Sequence, residues 1–574
     1  MSSGDNNREP KFDCGRFKSQ FLWAHGTFAA LAVFVCAGFT ASASWALLGF
    51  SCLSGATEGG PSIPRLAMKA VFFSALLAAS IAGLHALYRR KPGLRESLPG
   101  RTKSPSGRTT MIALLVSLGI VALATIPRLS VFPHIEPDES HHLIVARNVA
   151  VHGVYGSGMP ATGFRPFDDY DSVGPTVLLP VAAAIWAFGE PLHSGRVIMA
   201  LFFLLLCALV YLLVARSTNT MAGVFAVLFL LAAPGSLYLA RTLYGEAPAL
   251  LYLIAALFVW ERALDSARPL SWCVASGALF GCALTTKYFL VVAAWPALGM
   301  WVYDWMTFRR IRLVHALVPT GVALAMLASW VGVTSLYGPH GTDTPGGHLS
   351  MYQHNLLFGL DSVGTALSWL AQHWIAAVFY LVVGIYSLTT AALLTAYRPA
   401  CLLLALFALL IAYWWIFFTT GAIPRYLWYA MAIGAAFAGT FCASGFSRSQ
   451  GKAARYRRFA YIASTVMLVF VAWETAPRIA AMATRDEMQD EYAVVDHLVK
   501  HYDRAAVATT FYPIQRVANL LAEFPVDRVR TTDSWQEYDA VVLDARSQTD
   551  AIGDNRIEQT FGRYAIITAK TKHP

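Results

Sequence analysis

Long apolar runs separated by short polar loops dominate this chain and leave it few folds. A run of about twenty apolar residues spans a bilayer. Backbone polar groups in lipid must be satisfied within the span, so each run becomes a helix. Such runs recur near 23–49, 67–88, 111–130, 195–215, 220–238, 247–264, 271–286, 288–304, 313–336, 373–396, 400–418, 425–443 and 459–477. Charged residues are correspondingly scarce, at 14% of the chain against 56% hydrophobic, where a soluble domain carries about 25% charged. The pattern excludes a soluble globular domain and predicts an all-α polytopic membrane bundle of about thirteen spans. Ser172–Phe188 is also apolar, but Pro175 and Pro180 break it, so it reads as interfacial or re-entrant.

The net charge is +10, yet nucleic acid is not implied, because the Lys and Arg sit mainly in loops between spans. Arg89, Arg90, Lys91, Arg95, Arg101, Lys103 and Arg108 crowd one loop. Arg309, Arg310 and Arg312 crowd a second, and Lys452, Arg455, Arg457 and Arg458 a third. With Ser172–Phe188 interfacial, all three fall on one side together with Arg216, Arg262, Arg268 and Arg398, and the positive-inside rule makes that side cytoplasmic. The expectation is a multi-pass protein of the cytoplasmic (inner) membrane with its N-terminus inside and C-terminus outside. The run Phe21–Phe50 follows a long polar leader and exceeds a signal-peptide core, so no cleavable signal is read. No cysteine follows Cys442, so no disulfide framework is expected in the tail.

Three units follow: 1–110, a cytoplasmic N-terminus with two spans; 111–477, a membrane core with outer loops 131–194 and 337–372; and 478–574, a small extracytoplasmic α/β domain. In the tail, Met488, Tyr492, Val495, Leu498 and Tyr502 mark an amphipathic helix. A second helix is read at Pro513–Glu523, and short strands at 505–510, 538–543 and 564–568.

The informative chemistry follows the third span. Glu136, Asp138 and Glu139 lie just beyond the membrane, and carboxylates this close repel unless a cation, a base role or solvent relieves them. They also fit the acidic first turn of a helix beginning at Pro137, and that reading stays open. Glu246 sits at the outer edge between two spans, where a carboxylate costs less than the about 2.5–3.5 kcal/mol of a span centre; it either faces a cavity or caps the next helix. Lys287 and Arg425 lie at outer turns, where the positive-inside bias makes cations unexpected. A bound anion accounts for both, as does snorkelling to lipid phosphates. Arg165 and Arg196 flank the interfacial segment and are weaker candidates. His141, His142, His340, His348 and His354 could join the carboxylates around a divalent metal, although no closed zinc-site spacing is present.

The order of these elements carries a resemblance. An outer EPDESHHLIVARNVAVHGVYG is followed by SVGPTVLLPVAAAIWAFGEPLHSGRVIMALF, then ARTLYGEAPALLYL, TTKYF and PRYLWY. Over roughly 111–480 the chain resembles the GT-C superfamily of membrane glycosyltransferases, near the protein O-mannosyltransferase and aminoarabinose-transferase type. The resemblance implies a GT-C-like bundle and a polyprenyl-phosphate sugar as donor partner. It implies Asp138 as catalytic base with Glu139 beside it, Glu246 at the second acidic position, and Lys287 and Arg425 at the donor phosphate. Glu136, His141, His142, Arg165 and Tyr426 become candidate acceptor or sugar contacts, and a divalent metal on Asp138 and Glu246 is left open. The chain departs from the family where His141 or His142 stands in place of an aromatic residue, and in its two N-terminal spans. The alternative is a transporter or flippase of a lipid-linked or anionic substrate, which would place its functional charges near the midplane.

Overall fold

The computed structural model describes residues 107–167, 173–307, 309–337, 360–372, 399–418, 424–445, 484–502, 507–509, 512–528, 538–544 and 556–568, with isolated positions at 380 and between 462 and 481. The runs expected at 23–49 and 67–88, nearly all of 373–396, and most of 459–477 and of loop 337–372 lie outside these residues.

The described core is helical: α1 Gly107–Thr125, α2 Pro137–His152, α3 Pro175–Phe188, α4 Pro191–Ser217, α5 Thr220–Ala232, α6 Glu246–Asp265, α7 Pro269–Thr286, α8 Ala294–Thr307, α9 Leu313–Tyr337, α10 Leu360–Gln372, α11 Pro399–Phe418 and α12 Pro424–Gly445. Among the described residues, Arg108–Thr125, Pro191–Arg216, Glu246–Asp265, Pro269–Thr286 and Leu313–Thr334 are long and apolar enough to cross a membrane. Shorter apolar helices include Pro175–Phe188 and Thr220–Ala232. At 14 residues, α3 reaches about 21 Å and is too short to span the hydrocarbon core upright. The chain is a multi-pass membrane protein.

Two expected spans are broken. The run at 220–238 stops as a helix at Ala232, because Pro234 cannot continue it and Gly235 turns left-handed at φ 83°. After one further turn, Ser236–Leu239, the chain runs irregularly to Gly245. The run at 288–304 starts as a 3-10 segment, Tyr288–Ala293, and continues into α8. Both irregular stretches lie where the candidate residues gather.

Helices α6 and α7 define the two ends of the bundle. Asp265, the last residue of α6, pairs with Arg310 at 2.5 Å, and Trp260 Nε1 donates to the His315 carbonyl at 2.7 Å. The turns carrying Arg262, Arg268, Arg309, Arg310 and Arg312 therefore share one end. Glu246 and Lys287 mark the other end, about 30 Å away along α6, close to the thickness of a bilayer core.

The bundle core is apolar and aromatic, with Trp415, Trp428, Tyr211, Phe203, Phe229, Phe407 and Phe437 fully buried. Trp428 Nε1 donates to Ser236 Oγ at 2.8 Å, so even this indole keeps a partner, as a buried polar group must. Leu115 and Leu123 of α1 and Leu317 and Leu336 of α9 project outward, as lipid-facing side chains do.

Between α2 and α3, β1 Gly156–Met159 and β2 Gly163–Pro166 form an antiparallel hairpin. The tail holds α13 Gln489–His501, α14 Tyr512–Ala522 and a five-stranded sheet of order β4-β3-β5-β7-β6. Its strands are β3 Val507–Thr509, β4 Asp527–Arg528, β5 Ala540–Asp544, β6 Arg556–Phe561 and β7 Tyr564–Thr568. β3 runs parallel to β4 and β5, whereas β7 is antiparallel to β5 and β6. A second buried cluster joins Ile135, Leu143 and Val145 of α2 and its approach and Val177 and Val181 of α3 to Val494, Leu498, Val517 and Ile566 of the tail. The tail is packed on α2, α3 and the approach to α2.

Candidate active site

Pro137 occupies the first turn of α2, where its missing N–H costs nothing. Asp138 and Glu139 follow it in that turn. Successive residues on an α-helix point about 100° apart, so these neighbouring acids take different partners. Asp138 Oδ2 pairs with Arg425 Nη1 at 2.9 Å. Arg425, at the head of α12, also places its Nε 4.0 Å from Glu246 Oε1. Lys287 Nζ lies 3.5 Å from the same Glu246 oxygen. Four charges from α2, α6, the end of α7 and α12 thus form one chain. The chain runs inward, from an Asp138 side chain 47% exposed to a Glu246 side chain with no exposure.

Local folding dictates this convergence. Gly245 precedes Glu246 at φ 81°, and a Cβ there would stand 3.1 Å from Val173 and 3.2 Å from the Lys287 side chain. Only glycine turns the chain left-handed against that crowding. Lys287 ends α7 in extended conformation, and Thr176 Oγ1 hydrogen-bonds Thr286 Oγ1 at 2.6 Å, tying the start of α3 to the same corner. The Arg425 guanidinium lies over the Tyr244 ring at 4.8 Å and over Tyr426 at 5.5 Å. Tyr426 packs in turn on Phe289 and Trp414.

The structure decides several open readings. Glu246 does not cap its helix: Gly245 holds the N-cap position, and Glu246 Oε1 faces Lys287 Nζ and Arg425 Nε instead. Lys287 does not snorkel to lipid phosphates, being only 4% exposed. Glu139, expected beside the base, is corrected. Both of its oxygens accept from Arg196, at 2.9 Å from Nε and 2.8 Å from Nη2, and both side chains are fully buried. That is a closed structural pair. Glu136 is exposed and caps nothing, and Arg165 is exposed on β2; neither joins the charge chain. A divalent metal on Asp138 and Glu246 does not fit, because Arg425 stands between those carboxylates. Among the described residues no three His, Cys, Asp or Glu side chains group as a metal site. His340, His348 and His354 lie outside the described residues.

His141 and His142 are buried in α2 with ring centroids 6.0 Å apart. His142 Nδ1 lies 2.8 Å from the Leu243 carbonyl, so that nitrogen carries the proton. Burial, with the charges of His141 and Lys287 nearby, pushes His142 well below 6.5. Burial alone would raise Asp138, but the Arg425 guanidinium outweighs it, aided by Lys287, and holds the carboxyl below 3.8. A pH prediction follows from His142. Below pH 6.5 the unfolded chain takes up a proton that the folded chain refuses, so stability falls as pH drops from there toward the depressed folded value. The apparent melting temperature of purified protein declines over that window, and His142→Gln flattens the decline.

Sequence reasoning missed the weight of Arg196, Arg241 and Tyr244. Arg241 is fully buried and donates to the Pro127 carbonyl at 2.6 Å. The signal was present: Arg196 and Arg241 sit in apolar surroundings, where an unpaired cation is expensive.

A family model described as dolichyl-phosphate-mannose-protein mannosyltransferase matches residues 174–332. No curated protein sequence matches the chain. Among solved structures, ArnT from Cupriavidus metallidurans bound to undecaprenyl phosphate is similar at TM-score 0.56 and 15% identity, over 82% of this chain and 100% of that one. The apo state of the same protein gives 0.50 at 16% identity, over 81% and 98%. The apo oligosaccharyltransferase of Archaeoglobus fulgidus gives 0.50 at 13% identity, over 78% of this chain and 71% of that one. By the family match within its membrane core and by its ArnT-like fold, the chain resembles the GT-C superfamily of membrane glycosyltransferases.

Proposed function

We propose that the chain is a membrane glycosyltransferase that moves a sugar from a polyprenyl-phosphate donor to a hydroxyl of an extracytoplasmic acceptor, a cell-envelope glycan, glycolipid or protein. The observation that carries this reading is the single chain of charges Asp138–Arg425–Glu246–Lys287 at the bundle end opposite the basic turns. By the positive-inside rule that end faces away from the cytoplasm. ArnT has been solved with undecaprenyl phosphate, a lipid phosphate of the class proposed here. A transporter would hold its charges near the midplane; these four stand at one end of the bundle, about 30 Å along α6 from the basic turns.

A sugar on a lipid phosphate already has a good leaving group, so the two-carboxylate arrangement of glycoside hydrolysis is not required. The acceptor oxygen attacks the anomeric carbon as the bond from that carbon to the phosphate oxygen breaks. Asp138, the exposed carboxylate, orients the acceptor hydroxyl and receives its proton. Its depressed proton affinity suits late transfer, after the leaving bond has largely gone. Lys287 and Arg425 balance the charge that grows on the departing phosphate, and single displacement inverts the anomeric centre. Glu246 is the buried counter-charge that holds both cations in place. The four groups sum to zero charge, so an arriving phosphate draws Arg425 from Asp138 and frees the base for the acceptor.

Replacing Lys287 alone leaves the buried Glu246 only the more distant Arg425, at 4.0 Å, so the informative variant is Lys287→Gln with Glu246→Gln. It folds, and its transfer rate falls about 100-fold, as measured with a polyprenyl-phosphate sugar in reconstituted membranes. The cellular test is mass spectrometry of envelope glycans after gene deletion. Loss of one sugar substituent, restored by the wild-type gene and not by Asp138→Asn, is the expected result; an unchanged glycan profile contradicts it.

A further inference from the structure

We propose that the C-terminal α/β unit is a positioning clamp for α2, setting the place of Asp138 through Arg516, which donates to the carbonyl of the adjacent Pro137. The consequence for catalysis rests on the function proposed above; the clamp itself rests on geometry alone.

Helix α2 is gripped from two sides. On the bundle side, Glu139 closes on Arg196, His142 bonds the Leu243 carbonyl, and Asp138 reaches Arg425. On the tail side the contacts extend over the whole length of the helix and its approach. The Glu487 amide donates to the Val131 carbonyl at 3.0 Å, and the His134 amide donates to Glu487 Oε2 at 3.0 Å. The His134 ring meets Glu491 Oε1 at 2.5 Å, and the same oxygen accepts from Tyr564 at 2.6 Å. Arg516 of α14 then holds the first turn of α2. At the far end Arg147 donates to the carbonyls of Asn519 at 2.5 Å and Leu520 at 3.2 Å, and to Asn519 Oδ1 at 3.1 Å. The Asn519 carbonyl also accepts from the Glu523 amide at 2.9 Å, and Arg147 adds a cation from α2 at this last turn of α14, where the helix dipole favours one. His152 meets Glu523 just beyond, at 3.0 Å.

These contacts are directional and partly desolvated. Arg147 is only 4% exposed, and both of its terminal nitrogens find oxygen acceptors, Nη1 on the Asn519 and Leu520 carbonyls and Nη2 on Asn519 Oδ1. A merely sticky interface would be satisfied by the apolar cluster shared by Leu143, Val494 and Val517. Guanidinium groups aimed at main-chain oxygens from both partners fix translation along α2 as well as separation. A displacement of about 1 Å at a reacting group can cost about 100-fold in rate, so the register of α2 is where such rigidity matters. Arg516 is a positioning residue, acting through the backbone of Pro137.

The test uses the full-length protein in nanodiscs, read by hydrogen–deuterium exchange over 137–152 and by the split of kcat from KM for a polyprenyl-phosphate sugar. Arg516→Ala is expected to speed exchange in α2 and lower kcat, each about tenfold, with KM for the donor unchanged. Arg516→Lys recovers part of both, and Lys500→Ala, on the exposed face of α13, changes neither. Unchanged exchange in Arg516→Ala overturns the clamp, and faster exchange with unchanged kcat overturns its role in positioning. Should the wild-type protein transfer no sugar, the enzyme reading fails, while the exchange measurement still decides the clamp.

Discussion

Asp138→Asn lowers sugar transfer by about 100- to 10,000-fold, the range expected for loss of a general base, and leaves expression and folding intact. Folding survives because the amide oxygen still accepts from Arg425 where Asp138 Oδ2 now does, at 2.9 Å. The variant also carries a signature that separates a base from a binding residue. In the resting protein Asp138 occupies the guanidinium that the proposed mechanism assigns to the donor phosphate. Removing its charge therefore leaves polyprenyl-phosphate binding unchanged or tighter. Weaker binding together with lost transfer would make Asp138 part of the donor site and would overturn its assignment as base.

Arg196→Ala is expected to destabilise the protein by about 3–5 kcal/mol, the cost of leaving one partner of a buried ion pair uncompensated. Arg196 gives two N–H groups to Glu139 and a third to the Leu129 carbonyl at 2.8 Å, and no part of either side chain meets solvent. Purified Arg196→Ala should lose its folded, monodisperse fraction at temperatures the wild type tolerates. Apolar replacement of both partners, Glu139→Leu with Arg196→Met, restores the fold, since a well-packed apolar pair often equals the ionic one. If Glu139 serves structure alone, this double variant transfers sugar far better than Asp138→Asn. A folded double variant as inactive as Asp138→Asn would return Glu139 to the chemistry.

The helices were legible because lipid imposes a simple rule on composition. The run read at 313–336 folds as Leu313–Tyr337, and that at 400–418 as Pro399–Phe418. Where the reading overshot, at 220–238, a Pro–Gly step inside an apolar run had ended the helix. Hydropathy averages over such a step, whereas backbone geometry does not. The sequence grouped four charges by their expected sidedness, and the structure brings those four into one chain at one end of the bundle. Their partners were not legible. Asp138 and Glu139 are adjacent and chemically alike, yet the angular step of the helix sends one to Arg425 and the other to Arg196. The grip of Arg516 and Arg147 depends on how the distant tail packs on α2, and no local pattern in the sequence encodes that contact.

The claim on which the account depends is that Lys287 and Arg425 hold a lipid phosphate. Native mass spectrometry of the purified protein titrated with undecaprenyl phosphate measures this directly, comparing wild type, Arg425→Gln, and Lys287→Gln with Glu246→Gln. One lipid should bind the wild type, with affinity reduced at least about tenfold in each variant, as expected for loss of a charge-assisted hydrogen bond. Equal binding by all three, with each variant folded, would place the phosphate elsewhere and contradict the account.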